Sequence, residues 1–259
     1  MSNKKSDVEI VIPIYKTILS EFEQISLKQV YNLLIDYPLV VIKPKSLDIS
    51  SLVKQYPLLT AKSFDDDYFN GISGYNKLML SKQFYADFLH TKYILIYQLD
   101  AYIFSNELIY WCEKDYDYIG APWLKKPVYN LPIISTIMKF SKWNHSRKGL
   151  KSKQDLYNKI GNGGFSLRKV KSHYNAITEY QEQINSYSEE KKKNHLHNED
   201  VFWASIPNFT YPDIKEAIAF SFDKYPALCY KLNNKKLPFG CHGWYKRKMK
   251  SFWKPIIGF

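Results

Sequence analysis

The chain has 259 residues, 45% hydrophobic and 24% charged, which is the composition of a globular protein with a sizeable core. Its formal net charge of +12 and pI near 9.3 favour anionic partners: nucleic acid, an acidic membrane surface or a phosphorylated small molecule. Three cysteines without CxxC spacing (Cys112, Cys229, Cys241) argue against a disulfide framework or zinc ribbon, and no apolar run approaches the ~18 residues of a membrane span. The N-terminal "MSNKKSDVEIVIPIYK" passes straight into a strand-like run and lacks the pattern of a signal peptide, so a cytoplasmic protein is expected.

In chain order, the β-branched run Val8 to Ile14 predicts a strand. Ser20 and Glu23 form a capping-box pattern, and Phe22, Ile25, Val30, Leu33, Leu34 and Tyr37 follow at helical spacing until Pro38. "LVVIK" (39–43) predicts a second buried strand, which completes a βαβ opening. The polar loop "FDDDYFNGISGYN" (64–76) precedes a helix carrying Leu78, Met79, Tyr85, Phe88 and Leu89 on one face.

The run "YILIYQLDAYIF" (93–104) is continuously apolar until Asp100. A strand of this kind is central and covered on both faces, and parallel sheets bind ligands at the carboxyl ends of their strands. "YDYIGAPW" (116–123) predicts a strand ending in a turn, and residues 124–158 read as a basic, irregular insertion or mobile loop. "GNGGFSLRK" (161–169) is a glycine-rich turn entering a strand. Tyr174, Ile177, Tyr180, Ile184 and Tyr187 mark an amphipathic helix, and "NEDVFWAS" (198–205) opens another. The tail "WYKRKMKSFWKPIIGF" interleaves five cations with aromatics. It reads either as a helix packed on the domain or as a contact for an anionic membrane.

Four pieces stand in a recognisable order: "QLDAYIF", "GNGGFSLR", "NEDVFW" and "PFGCHGW". The set resembles the nucleotide-sugar glycosyltransferases of the GT-A fold. The run that also includes "YDYIGAPW" resembles the bacterial DUF5672 family, which is grouped with them. The resemblance covers roughly residues 8 to 245. It implies an α/β, Rossmann-like fold with a mixed, mainly parallel central sheet flanked by helices. A single domain over 1–245 would then be followed by a tail, 246–259.

The resemblance also implies roles. Asp100 matches the first aspartate of the DxD motif, whereas the second position is Tyr102. His242 matches the C-terminal histidine, so Asp100 and His242 would be the ligands of Mn²⁺ or Mg²⁺ on the donor diphosphate. Asp200 matches the base of inverting enzymes, with Glu199 its acidic neighbour. Pro13, Tyr15, Asp100, Tyr102, Gly163 and Gly164 would receive the donor. Asp66 and Trp123, the latter beside Tyr118 and Pro122, would face the acceptor.

The implied function moves a sugar from a nucleoside-diphosphate sugar, UDP-linked by preference, to a glycan or lipid-linked acceptor of bacterial surface polysaccharide. A catalytically inactive sugar- or nucleotide-binding protein is the first alternative. A nucleic-acid-binding protein is the second, and it leaves acids at the sheet's carboxyl end unexplained.

Overall fold

The computed structural model describes residues 4–149, 151–189 and 195–259. The first half follows the βαβ logic of its sequence. Strands β1 (Val8–Pro13), β2 (Leu39–Pro44) and β3 (Leu59–Phe64) lie side by side and parallel, crossed by α1 (Glu21–Leu33) and α2 (Ser50–Gln55). The Ser20–Glu23 capping box forms at the start of α1, satisfying backbone N–H groups that the helix leaves unpaired. Strand β3 has no counterpart in the sequence reading. It is the sheet's edge, most of its side chains are exposed or half-exposed, and so no apolar run announces it.

Helix α3 (Gly71–Met79) begins inside the expected loop, and α4 (Lys82–Ala86) leads to β4 (Tyr93–Tyr97). Every residue of β4 is buried, as its apolar run requires. The short β5 (Ala101–Ile103), α5 (Leu108–Glu113) and β6 (Tyr118–Gly120) follow. The expected irregular insertion contains a 16-residue helix, α6 (Pro132–Arg147), none of whose residues is buried. Then come β7 (Phe165–Lys169), α7 (Val170–Glu179), α8 (Gln181–Glu189) and α9 (Glu199–Trp203). The chain closes with α10 (Ile214–Phe220), β8 (Ser221–Phe222), α11 (Pro226–Leu232), β9 (Gly240–His242) and α12 (Lys250–Ile257).

The main sheet has the order β3-β2-β1-β4-β7-β6, with β7 alone running antiparallel to its neighbours. This reversal decides where the site forms. Because β7 runs against β4, the glycine-rich turn before β7 lies at the carboxyl end of β4: Tyr97 pairs with Phe165, and the Gln98 N–H donates to the Gly164 carbonyl at 2.9 Å. A second sheet, β5-β9-β8, adds the remaining pieces. Ala101 pairs with His242, Phe222 pairs with Cys241, and the Gly243 N–H donates to the Asp100 carbonyl at 2.7 Å. Asp100, Asp223 and His242 thus meet through strand pairing between distant parts of the chain.

The C-terminal aromatics turn inward. Trp244 and Trp253 are fully buried, Trp253 stacks on Phe104, and Phe259 packs on Phe22 and Trp244. Of the two readings of the tail, α12 has the geometry of a packed helix.

Candidate functional site

A cleft of about 560 Å³ opens at the carboxyl ends of β1 and β4. Pro13 and Tyr15, from the end of β1, line it beside Lys16. Asp100 enters from the β4–β5 turn, Asn162, Gly163 and Gly164 from the turn before β7, Glu199 and Asp200 from the start of α9, and His242, Tyr245 and Lys246 from β9 onward. Tyr15 is 59% exposed, so its ring is free to be covered by a planar group.

At one end of the cleft the Asp100 carboxylate is flanked by two cations. Oδ2 lies 2.9 Å from the Lys246 ammonium, and Oδ1 lies 2.9 Å from His242 Nε2, an ion pair whose N–H is not aligned for a hydrogen bond. The other ring nitrogen, Nδ1, faces Asp223 at 3.4 Å. Burial alone would raise the Asp100 pKa, but His242 and Lys246 hold it well below the usual carboxylate range. Burial disfavours a charged His242, yet the two carboxylates outweigh it and raise His242 to about 9.

The other end carries the acids of "NED". Asp200 is partly buried, and its Oδ1 accepts the Val201 N–H at 2.9 Å. Burial and then the Glu199 charge raise its pKa to about 7, only partly offset by backbone N–H groups of Val201 and Gly163. The carboxyl can therefore take up and release a proton near neutral pH.

Glu199 has a different setting. It is buried, and its Oε1 receives Arg168 Nη2 at 3.1 Å. Arg168 is itself fully buried and donates further to Tyr85 Oη at 2.9 Å and Ser166 Oγ at 3.1 Å. Against the cost of burial, the Glu199 carboxylate keeps Arg168 charged. The glycine turn packs directly on these groups: a Cβ on Gly163 would overlap the Glu199 carboxylate, and one on Gly164 would overlap the His242 ring. Only glycine permits that approach.

Tyr102, Trp123 and Asp66 stand outside the cleft. The Tyr102 ring packs between Phe104 and Trp244, because alternation along β5 turns it away from Asp100 and toward the C-terminal helix. Trp123 covers Gly161 behind the glycine turn, next to the buried Tyr118 strand. Asp66 is exposed and accepts the Ser46 N–H at 3.1 Å, tying two surface loops together.

Asp100 and His242 are the groups of this cleft that would hold a divalent cation on the donor diphosphate, with Asp223 behind the His242 ring. Among the described residues no group of three or more His, Cys, Asp or Glu side chains is arranged to hold a metal. Both Asp100 oxygens face cations, and both His242 nitrogens face carboxylates.

The family described as "Protein of unknown function (DUF5672)" matches residues 59–242. The chain belongs to this family. Comparison with curated proteins finds no match. Solved structures are similar over nearly its whole length. Galactosyltransferase LgtC, in complex with donor and acceptor sugar analogs, has a TM-score of 0.54 at 12% identity, covering 96% of this chain and 95% of that one. Mouse xyloside xylosyltransferase 1 has a TM-score of 0.54 at 11% identity, covering 92% and 97%. The glycosyltransferase GlyE of Streptococcus pneumoniae TIGR4 has a TM-score of 0.56 at 12% identity; 98% of this chain matches 61% of that one. The fold of this DUF5672 protein is therefore that of the GT-A glycosyltransferases, with the mixed, mainly parallel sheet expected from the sequence.

Sequence reasoning passed over three residues that shape this DUF5672 cleft: Arg168, Asp223 and Lys246. Arg168 lies beside Lys169 at the end of the short strand FSLRK, so nothing in the sequence tells which of the two cations is buried; a buried charge needs a partner, and that partner is Glu199. Lys246 sits four residues after His242 and was hidden among the tail's many cations.

Proposed function

We propose that this protein is a glycosyltransferase that moves a sugar from a nucleoside-diphosphate sugar, with UDP as the favoured nucleotide, to a glycan or lipid-linked acceptor of bacterial surface polysaccharide. The observation that carries the reading is the cleft's polarity. A charge-paired end, where Lys246 and His242 meet Asp100 and Asp223, faces a proton-accepting end at Asp200, within one cavity at the carboxyl ends of the strands.

The chemistry uses both ends. Glycosyl transfer breaks the bond between the anomeric carbon and the diphosphate oxygen, and the electron pair leaves with the diphosphate. The Lys246 ammonium would receive that charge as a preorganised donor, with His242 holding Asp100 in place. The Tyr15 ring would stack on the base. In an inverting reaction, Asp200 takes the proton of the acceptor hydroxyl as that oxygen attacks the anomeric carbon. Glu199 then serves as a positioning residue, fixed by Arg168 and backing the glycine turn on which the donor rests. On this reading the catalytic domain runs past residue 245, because Lys246 holds Asp100 in the cleft and Trp253 packs into the core.

Titration calorimetry of UDP, GDP, CMP and dTDP, each with EDTA and with Mn²⁺, tests the assignment. UDP should bind in both conditions, and Lys246→Met should weaken it about tenfold or more, the scale of one charge-assisted contact. No binding by any nucleotide in either condition removes the glycosyltransferase reading. Binding without turnover of any UDP-sugar would favour the inactive nucleotide-binding alternative, which the inward-turned Tyr102 at the second DxD position recommends.

A further inference from the structure

The insertion between β6 and β7 combines two properties that the cleft does not use. From Tyr118 through Gln154 the sequence contains no acidic residue, while Lys125, Lys126, Lys139, Lys142, Arg147 and Lys148 lie before, on and after α6. On α6 itself, Ile133, Ile137, Phe140 and Trp143 are spaced by four, three and three residues, which places them along one side of the helix. They are 77%, 62%, 66% and 52% exposed. Ile134, Ser135, Met138, Ser141 and His145, away from that stripe, are the half-buried positions of the helix. Large side chains in such a stripe normally lie against a core; here they point to solvent.

We propose that α6 is an interfacial helix that seats the protein on an anionic phospholipid bilayer. A contiguous exposed apolar patch on a folded domain marks a surface that something covers. The charge identifies the cover. Two copies of this chain meeting face to face would bring two predominantly cationic clusters together, with Asp155 neutralising Lys142 in each, whereas an anionic bilayer offers phosphates to the cations and acyl chains to the ridge. The aromatics have the amphipathic geometry of that boundary: Phe140 lies 5.6 Å from Trp143, and the Arg147 guanidinium sits 4.8 Å over the Trp143 ring, an apolar body beside a charged head.

The insertion is rooted beside the cleft. The insertion leaves the sheet at Pro122 and returns at Ile160, where the two residues form an antiparallel bridge. Two positions further on, Asn162 and Gly163 line the cleft. The base of the insertion therefore adjoins the glycine turn. If the function proposed above holds, a lipid-linked acceptor would be presented there, but membrane seating itself does not depend on that function.

The test is vesicle flotation of the full chain with phosphatidylcholine alone and with phosphatidylcholine containing about 30% phosphatidylglycerol, at rising salt. The protein should float with the anionic vesicles, stay behind with the neutral ones, and detach as salt screens the cations. Ile137→Ser/Phe140→Ser/Trp143→Ser should cut partitioning more than about tenfold while leaving the circular dichroism spectrum and Tm intact, because all three side chains are exposed. Lys139→Glu/Lys148→Glu should do the same by reversing charge alone. No flotation, equal flotation with neutral vesicles, or unchanged partitioning of both variants would overturn the proposal. A wild-type dimer in sedimentation velocity that the serine variant converts to monomer would also overturn it, assigning the ridge to a second copy.

Discussion

Asp200→Asn should make this protein more stable and less active at once, and the pH dependence of the gain follows from where the side chain sits. In the unfolded chain an aspartate titrates near 3.8; burial, and then the Glu199 charge, raise Asp200 to about 7 in the fold. The folded state therefore binds this proton more tightly than the unfolded state. Stability contributed by the protonated form is present at acid pH and is lost as pH rises through the window between those values. At pH 8 the ionised carboxylate carries the full penalty. The gap corresponds to about 4 kcal/mol in a fully desolvated site, and partial exposure to the cleft reduces it to about 2 kcal/mol. Asparagine has the same shape, is neutral, and keeps an oxygen to accept the Val201 N–H. The variant should then melt about 4–8 °C higher than the wild type at pH 8, with the difference shrinking steadily toward pH 4. Scanning calorimetry of both proteins from pH 4 to 8 measures this directly. Equal melting temperatures at pH 8, or a gain independent of pH, would refute the argument that Asp200 is held desolvated beside Glu199. In the same variant, transfer from a UDP-sugar should fall by ~10²-fold or more with nucleotide binding unchanged, and the wild-type rate should rise with pH up to about 7.

Two further variants probe the scaffold. Arg168→Met leaves the buried Glu199 carboxylate without its 3.1 Å partner and should cost about 3–5 kcal/mol in urea unfolding, whereas Arg168→Met/Glu199→Gln should cost less than the sum of the single changes. Additive losses would show that the two groups do not act as a pair. Trp253→Ala should cost about 3–5 kcal/mol, since it removes a fully buried ring stacked on Phe104 and near Phe222. A Tm within a degree of wild type would mean that α12 is dispensable to the fold.

The sequence by itself determined whatever a single element expresses through its own pattern. The β-branched run of β1, the capping box of α1 and the continuous apolar run of β4 each state how much of that element is buried, and the structure has each of them in that form. The ordered set of Asp100, the glycine turn, the NED acids and His242 was legible through its resemblance to the GT-A pattern, and the fold lines one cleft with all four. Elements whose pattern does not report burial were invisible. Edge strand β3 has too little of its surface covered, and α6 turns its apolar stripe outward, so its periodicity read as irregular.

What the tertiary structure decided is which motifs touch. The reversal of β7 carries Gly163 and Gly164 to the end of β4, and the pairing of β5 with β9 carries His242 to Asp100. Those contacts join residues far apart in the chain, and no local periodicity encodes them. The same pairing explains Tyr102. Alternation along β5 sends its ring into the aromatic cluster around Trp244, while Lys246, unremarkable among the cations of the tail, arrives 2.9 Å from the carboxylate that Tyr102 turns away from. The charge of each group is written in the sequence, but its pKa and its partners exist only once distant strands have brought the groups together out of water.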